Sequence, residues 1–433
     1  MDTQVDRVAH ATPTQQDNKF YRYSQLALLV VAAGTIYPVL YLRQIYQSSM
    51  LVALGIDNQQ LGYLYSGLGI AFVASYLPSG WLADRLPPRL LICISLLGTG
   101  LLAMWYATYP SYGYLRIIFF GFGITTGLTF WAALLKRLKT LATKDEQGRF
   151  FGMLDGGRGL IEASVATIAL TMFTYYTQKQ GQSLGDGFQR VIHLYAYLCI
   201  ALGVVLAFLR DPKKISPAEQ ATSQKKGKLL ADLRTLARLP ELWLMTAIVF
   251  CGYHLFWVTY SFSAYLEQGS LGLTATVAAT ITTAKMWMRP IGGIGGGWLG
   301  DRFTPLRMLT IVMILATTGV VGLIMASWLS NVVIAAGLVL FIGLMAYGIR
   351  GLYWAILDVC NVPVHITGLA IGIVSVIGYS PDILLPLING WATQHFPGTT
   401  GYQIYYSYIA TVGMLGVIAA LTLNKRIAKR KAA

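Results

Sequence analysis

The stretch Gly80-Trp-Leu-Ala-Asp84-Arg85-Leu-Pro-Pro88 returns as Gly297-Trp-Leu-Gly-Asp301-Arg302-Phe-Thr-Pro305, 217 positions later. A weaker echo pairs Trp131-Ala-Ala-Leu-Leu135 with Trp354-Ala-Ile-Leu-Asp358 at an offset of 223. Two matches at nearly constant offset indicate a duplicated unit. Working outward from the first motif, whose copies each close an apolar run, the chain divides into twelve apolar segments. They cover residues 22–47, 59–80, 89–109, 112–136, 149–175, 189–209, 242–266, 273–298, 306–328, 331–357, 366–391 and 402–424. Soluble domains average about 25% charged residues, whereas this chain of 433 residues has 12% charged, 55% hydrophobic and a mean hydropathy of +0.56. The segment lengths suit tilted helices, strand alternation is missing, and lipid admits only helices or closed barrels. The expected fold is an all-α polytopic membrane protein, with twelve transmembrane helices as two pseudo-symmetric six-helix bundles. That composition argues against a soluble enzyme.

The net charge of +15 does not form the basic stripe of a nucleic-acid binder. Counting Lys and Arg on alternate sides of the threading places 25 of the 33 on one side, in the short connections, the central loop and the C-terminal tail. The positive-inside rule then puts both termini in the cytoplasm of a cytoplasmic (inner) membrane. The polar N-terminus lacks the basic region and cleavage site of a signal peptide, so the first apolar run is expected to be retained as a span. The organisation that follows is a cytoplasmic tail over 1–21, a first bundle over 22–209, a cytoplasmic loop over 210–241, a second bundle over 242–424 and a basic tail over 425–433. Within the loop, Leu229, Leu230, Leu233 and Leu236 recur at helical spacing opposite basic residues, which predicts an amphipathic helix on the membrane surface. Cys93, Cys199, Cys251 and Cys360 have no metal-type spacing, so neither a disulfide framework nor a metal site is expected. The run Gly292-Gly293-Ile-Gly295-Gly296-Gly297 lacks the Lys-Ser/Thr of a P-loop, and no cofactor is expected.

Gly80-x-Leu-x-Asp84-Arg85 and Gly297-x-Leu-x-Asp301-Arg302, each after the second helix of its half, resemble the signature loop of the major facilitator superfamily. The far end of each loop departs from the family pattern, with Pro87, Pro88 and Arg89, then Thr304, Pro305 and Leu306. In that family these loops carry charge contacts that hold the inward-closed state, so the resemblance implies a gating role for Asp84, Arg85, Asp301 and Arg302. A tight solvated turn is the simpler alternative. The first span, Tyr37-Pro-Val-Leu-Tyr41-Leu-Arg43, is similar to the branch that moves organic anions and organophosphates. The seventh span, Tyr253-His254-Leu-Phe-Trp257-Val-Thr-Tyr260-Ser261, lacks the second arginine of the phosphate-ester exchangers.

Ionisable residues inside a span cost about 2.5–3.5 kcal/mol each on insertion scales, which makes each a functional candidate. Lys285 and Arg289, four apart, share a helix face with no acid between them and mark an anion site unless another helix neutralises them. Asp155, Arg158 and Glu162 form one stripe, either a self-neutralising structural triad or transport chemistry with Glu162 as proton carrier. Arg350 and Asp382 suggest a pair across the bundle, with Asp382 placed after the helix-breaking Gly378-Tyr379-Ser380-Pro381. Glu267 and Asp358 read as boundary charges. His254 is a titratable candidate or a neutral hydrogen-bonding residue. Tyr37, Tyr41, Trp131, Trp257, Tyr260, Trp354 and Tyr379 could line a cavity, and of these Tyr37, Trp257 and Tyr379 are placed mid-span by the threading.

These readings predict a secondary active transporter that moves a small organic anion by alternating access, driven by proton symport or anion exchange. The substrate-binding candidates are Arg43, Tyr37, Tyr41, Trp257, Lys285, Arg289, Arg158, Arg350 and Tyr379, with Glu162, Asp382 and His254 for proton coupling. The expected partners are the solute, protons or a counter-anion, and the bilayer, with no nucleic acid and no obligatory protein. A neutral solute such as a sugar or nucleoside is the alternative if every basic residue is internally paired. A transporter-like solute sensor is another. No nucleophile with a positioned base supports an enzyme.

Overall fold

The structure, a computed structural model, describes residues 19–142, 146–208, 229–268, 271–329, 331–363 and 366–432. The expected N-terminal tail up to residue 18 and the central loop up to residue 228 lie outside the described residues. So do the side chains of Asp84, Asp358 and residues 229–232. Among the described residues there is no strand, and helices occupy all twelve apolar segments. The first span is Lys19–Ile36 followed by Arg43–Leu54, the second Asn58–Arg85, the third Pro88–Tyr106. The fourth runs Tyr112–Gly123, a π-helical turn Ile124–Leu128, then Trp131–Leu141; the fifth is Gln147–Thr174 and the sixth Leu184–Phe208. A short helix, Leu229–Ala237, precedes the seventh span, Pro240–Trp257 with a 3-10 turn Val258–Tyr260 and Phe262–Glu267. The eighth comprises Ala275–Met286 and Met288–Phe303, and the ninth is Pro305–Leu329. The tenth joins Val332–Leu352 to the 3-10 turns Tyr353–Cys360, the eleventh joins Thr367–Gly378 to Pro381–His395, and the twelfth is Thr399–Ala432.

Eight of these spans are long and apolar enough to cross a membrane by length and composition alone. The first, fifth and eighth fall short for visible reasons. The first unwinds at Tyr37–Leu42 around Pro38, where a proline removes a backbone donor and crowds the preceding turn. The fifth carries Asp155, Arg158 and Glu162, and the eighth carries Lys285 and Arg289. Large apolar side chains such as Ile168, Ile311, Met325, Leu415 and Ile418 face outward, as a lipid-facing surface requires.

The duplicated motif has a duplicated structural consequence. Pro88 and Pro305 each occupy the first turn of the next span, where a missing N–H is harmless and a fixed φ favours the helix. Arg85 and Arg302 each stack on the tryptophan one turn earlier, at 3.9 Å over Trp81 and 5.7 Å over Trp298.

The halves meet along the second and eleventh spans, and the fifth and eighth. Gly69 lies so close to the eleventh span that a Cβ there would stand 2.5 Å from the Asp382 carbonyl oxygen. Gly62 approaches the Pro386 carbonyl, and Gly390 the Asn58 carbonyl, equally closely. Small residues permit such backbone approach where lipid supplies no hydrophobic drive between helices. The buried core running through this seam includes Tyr46, Leu61, Tyr65, Phe173, Tyr265 and Leu385 from both halves. A second buried cluster, containing Leu26, Leu29, Phe130, Leu134 and Phe150, belongs to the first half alone and lies toward its basic connections. The halves are therefore joined by apolar packing at the end away from the basic connections. Gly69→Val is expected to wedge this seam and lower the midpoint of thermal unfolding in detergent, at about 1–3 kcal/mol for overpacking. An unchanged midpoint would show that the crossing is not tight.

Candidate functional site

Where the spans lose regular helix, they surround one cavity of about 130 Å³, a size for one small solute. Tyr37 and Tyr41 come from the break in the first span, and Gly127 and Trp131 from the π-helical turn of the fourth and the residues after it. Tyr253, Phe256 and Tyr260 come from the seventh span as it tightens into 3-10 geometry. Arg350 closes the α-helical part of the tenth, and Tyr379 and Asp382 flank the break at Ser380–Pro381 in the eleventh. Phe72 and Tyr76 from the second span, Arg158 and Glu162 from the fifth, and Arg289 from the eighth complete the wall. Irregular backbone is tolerated at membrane depth only where it is buried in protein or lines a polar cavity, so breaks and cavity belong together.

Each charged group in the wall has a distinct kind of partner. Glu162 forms an ion pair with Arg289, joining the two halves. Of the two readings of the Asp155–Arg158–Glu162 stripe, the self-neutralising triad does not form as ion pairs: Glu162 turns to the eighth span, and Asp155 is exposed. Asp382 Oδ1 accepts hydrogen bonds from Tyr253 Oη at 2.8 Å and Trp257 Nε1 at 2.6 Å. It is not ion-paired to Arg350, which lies over the rings of Phe256 and Tyr253 at 4.5 and 5.6 Å. Arg158 lies over Tyr37 and Trp131 at 4.7 and 5.5 Å, and its buried Nε has no hydrogen-bond partner. Two guanidinium groups, one from each half, thus rest on aromatic faces with no carboxylate partner among the described residues. Stacking engages the face of a guanidinium and leaves its in-plane N–H fork available for a planar anion. Three arginines against two carboxylates leave one positive charge in excess.

Aromatic hydroxyls and an indole fix the wall around these charges. Tyr379 Oη bonds Tyr353 Oη at 2.9 Å and accepts from Trp354 Nε1 at 3.0 Å. Tyr41 and Tyr260 approach to 5.0 Å between ring centres, and Trp257 and Tyr260 to 4.7 Å.

Other expected site residues lie elsewhere. Arg43 and Lys285 are buried outside the cavity lining, in the seam between halves. Arg43 Nη2 donates to Asn389 Oδ1 of the opposite half at 2.9 Å and to Gln47 Oε1 at 3.2 Å, while its Nε and Nη1 have no partner. Lys285 Nζ donates to Gln44 Oε1 at 3.2 Å, again across halves. The helix face expected to carry Lys285 and Arg289 together is divided, because Lys285 points into the seam and only Arg289 reaches the cavity. His254 is held between the Phe250 carbonyl and Tyr408 Oη and does not line the cavity. Trp257 acts through Asp382 and does not line the wall itself. Arg85, Asp301 and Arg302 are exposed. The cavity residues not singled out from sequence are Phe72, Tyr76, Gly127, Tyr253 and Phe256, which share their composition with lipid-facing positions.

Residues 26–386 match the sequence profile of the Major Facilitator Superfamily. The chain belongs to this family and is a multi-pass membrane transporter, not an enzyme. It is similar to the inner membrane protein YqcE of Escherichia coli (strain K12), with 29% identity covering 95% of this chain and 96% of that protein. It also resembles the probable galactarate/D-glucarate transporter GudP of Bacillus subtilis (strain 168), with 24% identity covering 87% of each. Its fold is shared with a bacterial homologue of the human lysosomal transporter Spinster, solved in an inward-facing, unoccupied conformation. The TM-score is 0.75 at 13% identity, over 95% of this chain and 98% of that one.

Proposed function

We propose that the chain is a secondary transporter of a small organic anion, bound between Arg158 of one half and Arg350 of the other. The observation that carries this reading is the pair of aromatic-stacked guanidinium groups facing one cavity without carboxylate partners. A buried cation without an ion-pair partner is expensive, and a substrate anion supplies one. The relative named as a sugar-diacid transporter supports an anionic substrate. The threading of basic connections supports an inner-membrane location with both termini cytoplasmic. In that orientation the seam holding Arg43–Asn389 and Lys285–Gln44 closes the outer side, and Arg85, Asp301 and Arg302 would engage when the inner side closes.

The test is uptake into proteoliposomes of a panel of carboxylates, sulfonates, phosphate esters and matched neutral polyols. Uptake restricted to anions supports the proposal, and uptake restricted to neutral polyols defeats it. Coupling to protons is assigned to Asp382, a buried carboxylate on the cavity wall whose hydrogen-bond donors among the described residues, Tyr253 and Trp257, are uncharged. Asp382→Asn is then expected to abolish uphill uptake driven by a proton gradient and to retain exchange between internal and external substrate. Full gradient-driven accumulation by this variant would remove Asp382 from the coupling step.

A further inference from the structure

A second recess lies at the basic end of the protein and shares no lining residue with the central cavity. It is a cleft of about 560 Å³ between the C-terminal end of the short helix Leu229–Ala237, the start of the seventh span and the twelfth span. Its polar side is formed by Arg238 and Arg426, and its apolar side by Ala237, Pro240, Trp243 and Leu244, with Thr422 one turn before Arg426. Trp243 Nε1 donates to the Ala237 carbonyl at 3.1 Å, which fixes the indole at the mouth of the cleft while 43% of the residue stays exposed. Arg426 pairs with Glu241 at 3.3 Å through Nε and is 49% exposed. Arg238 is exposed and has no ion pair among the described residues.

We propose that this cleft binds one anionic phospholipid, with its phosphate held by Arg238 and Arg426 and an acyl chain lying along Trp243 and Leu244. Three features select a lipid over a free anion. The short helix buries Leu236 against the bundle and leaves Leu233 exposed beside Arg234, the division expected of a helix lying in a membrane interface. A tryptophan with one apolar and one polar edge occupies the boundary between arginines and lipid-facing surface. The outward-facing Leu421 and Ile418 continue the apolar path along the twelfth span below Thr422. Basic pockets between spans on the positively charged side are suited to anionic headgroups, each Lys or Arg near the surface contributing about a fivefold gain in binding.

The experiment uses the full chain, purified in a non-ionic detergent and stripped of lipid. It is titrated with dioleoylphosphatidylglycerol, dioleoylphosphatidylcholine or inorganic phosphate, with bound lipid counted by native mass spectrometry. One phosphatidylglycerol is expected to be retained in preference to phosphatidylcholine. Arg238→Gln should weaken that retention about fivefold and Arg238→Gln with Arg426→Gln about thirtyfold. Lys139→Gln with Arg307→Gln, which removes equal charge elsewhere at the basic end, should leave it unchanged. Equal weakening by both double variants would show diffuse attraction and overturn the site. Equal retention of phosphatidylcholine, or thermal stabilisation by inorganic phosphate matching that by phosphatidylglycerol, would overturn it as well. Arg238→Gln alone breaks no ion pair, so the proposal stays testable if the double variant does not fold.

Discussion

Arg158→Gln is expected to lower the apparent affinity for the organic anion by about thirtyfold or more, and Arg350→Gln to do the same, while the protein remains folded. Each change removes a charge-assisted contact in a site walled by aromatic rings, where losing one side of a desolvated charge pair costs roughly 2–5 kcal/mol. The fold should tolerate the loss because neither guanidinium forms an ion pair with a carboxylate of the described residues, so neutralising it breaks no salt bridge. Arg158→Lys and Arg350→Lys should fall between wild type and glutamine, since an ammonium keeps the charge and loses the planar fork. The check is ligand-dependent thermal stabilisation of purified protein, in which a ligand at 100 times its dissociation constant raises stability by about 2.7 kcal/mol. If both glutamine variants respond to anions as wild type does, the anion lies elsewhere and the proposed site is wrong.

The second large effect is at the ion pair between halves. Glu162→Gln should destabilise the protein by about 3–5 kcal/mol, because it leaves Arg289 in the cavity wall without its carboxylate. Glu162 and Arg289 are only 10% and 13% exposed, so solvent screens the pair little. The double change Glu162→Gln with Arg289→Gln should cost less than either single change, since the stranded charge is what carries the penalty. The measurement is a double-mutant cycle on thermal unfolding in detergent. Additive single effects would mean that the two side chains do not hold the halves together. This prediction differs in kind from that for Arg158 and Arg350: Glu162 and Arg289 are expected to support the structure, and Arg158 and Arg350 to hold the proposed anion.

Why those roles separate was not visible in the chain. Asp155, Arg158 and Glu162 share a helical stripe, and spacing alone allows the arginine to be neutralised by its neighbours. Packing of the fifth span against the eighth turns Glu162 to Arg289 and leaves Arg158 to Tyr37 and Trp131. Lys285 and Arg289 likewise share a face by spacing, yet one donates to Gln44 in the seam and the other lines the cavity. Arg43 lies in the outer seam beside Asn389, 346 residues away in sequence, a neighbour that no local pattern could indicate.

The sequence by itself determined what lipid imposes. Twelve apolar runs and missing strand periodicity admit only a helical bundle, because an unsatisfied backbone cannot sit in hydrocarbon. The repeated Gly-Trp-Leu-x-Asp-Arg motif gave the two halves, and its prolines mark where the third and ninth spans begin. Depth along a span was also legible: of the twelve residues chosen for binding and coupling, the cavity gathers Tyr37, Tyr41, Arg158, Glu162, Arg289, Arg350, Tyr379 and Asp382 and leaves out Arg43, Trp257, Lys285 and His254. What only the tertiary structure decided is azimuth and partnership. In a membrane bundle every helix face is apolar, so hydrophobic periodicity no longer distinguishes the face toward lipid from the face toward a neighbour or a cavity. Which cation meets a carboxylate and which is left for a ligand depends on the rotation and closest approach of whole helices, set at contacts such as Gly69 against the Asp382 carbonyl.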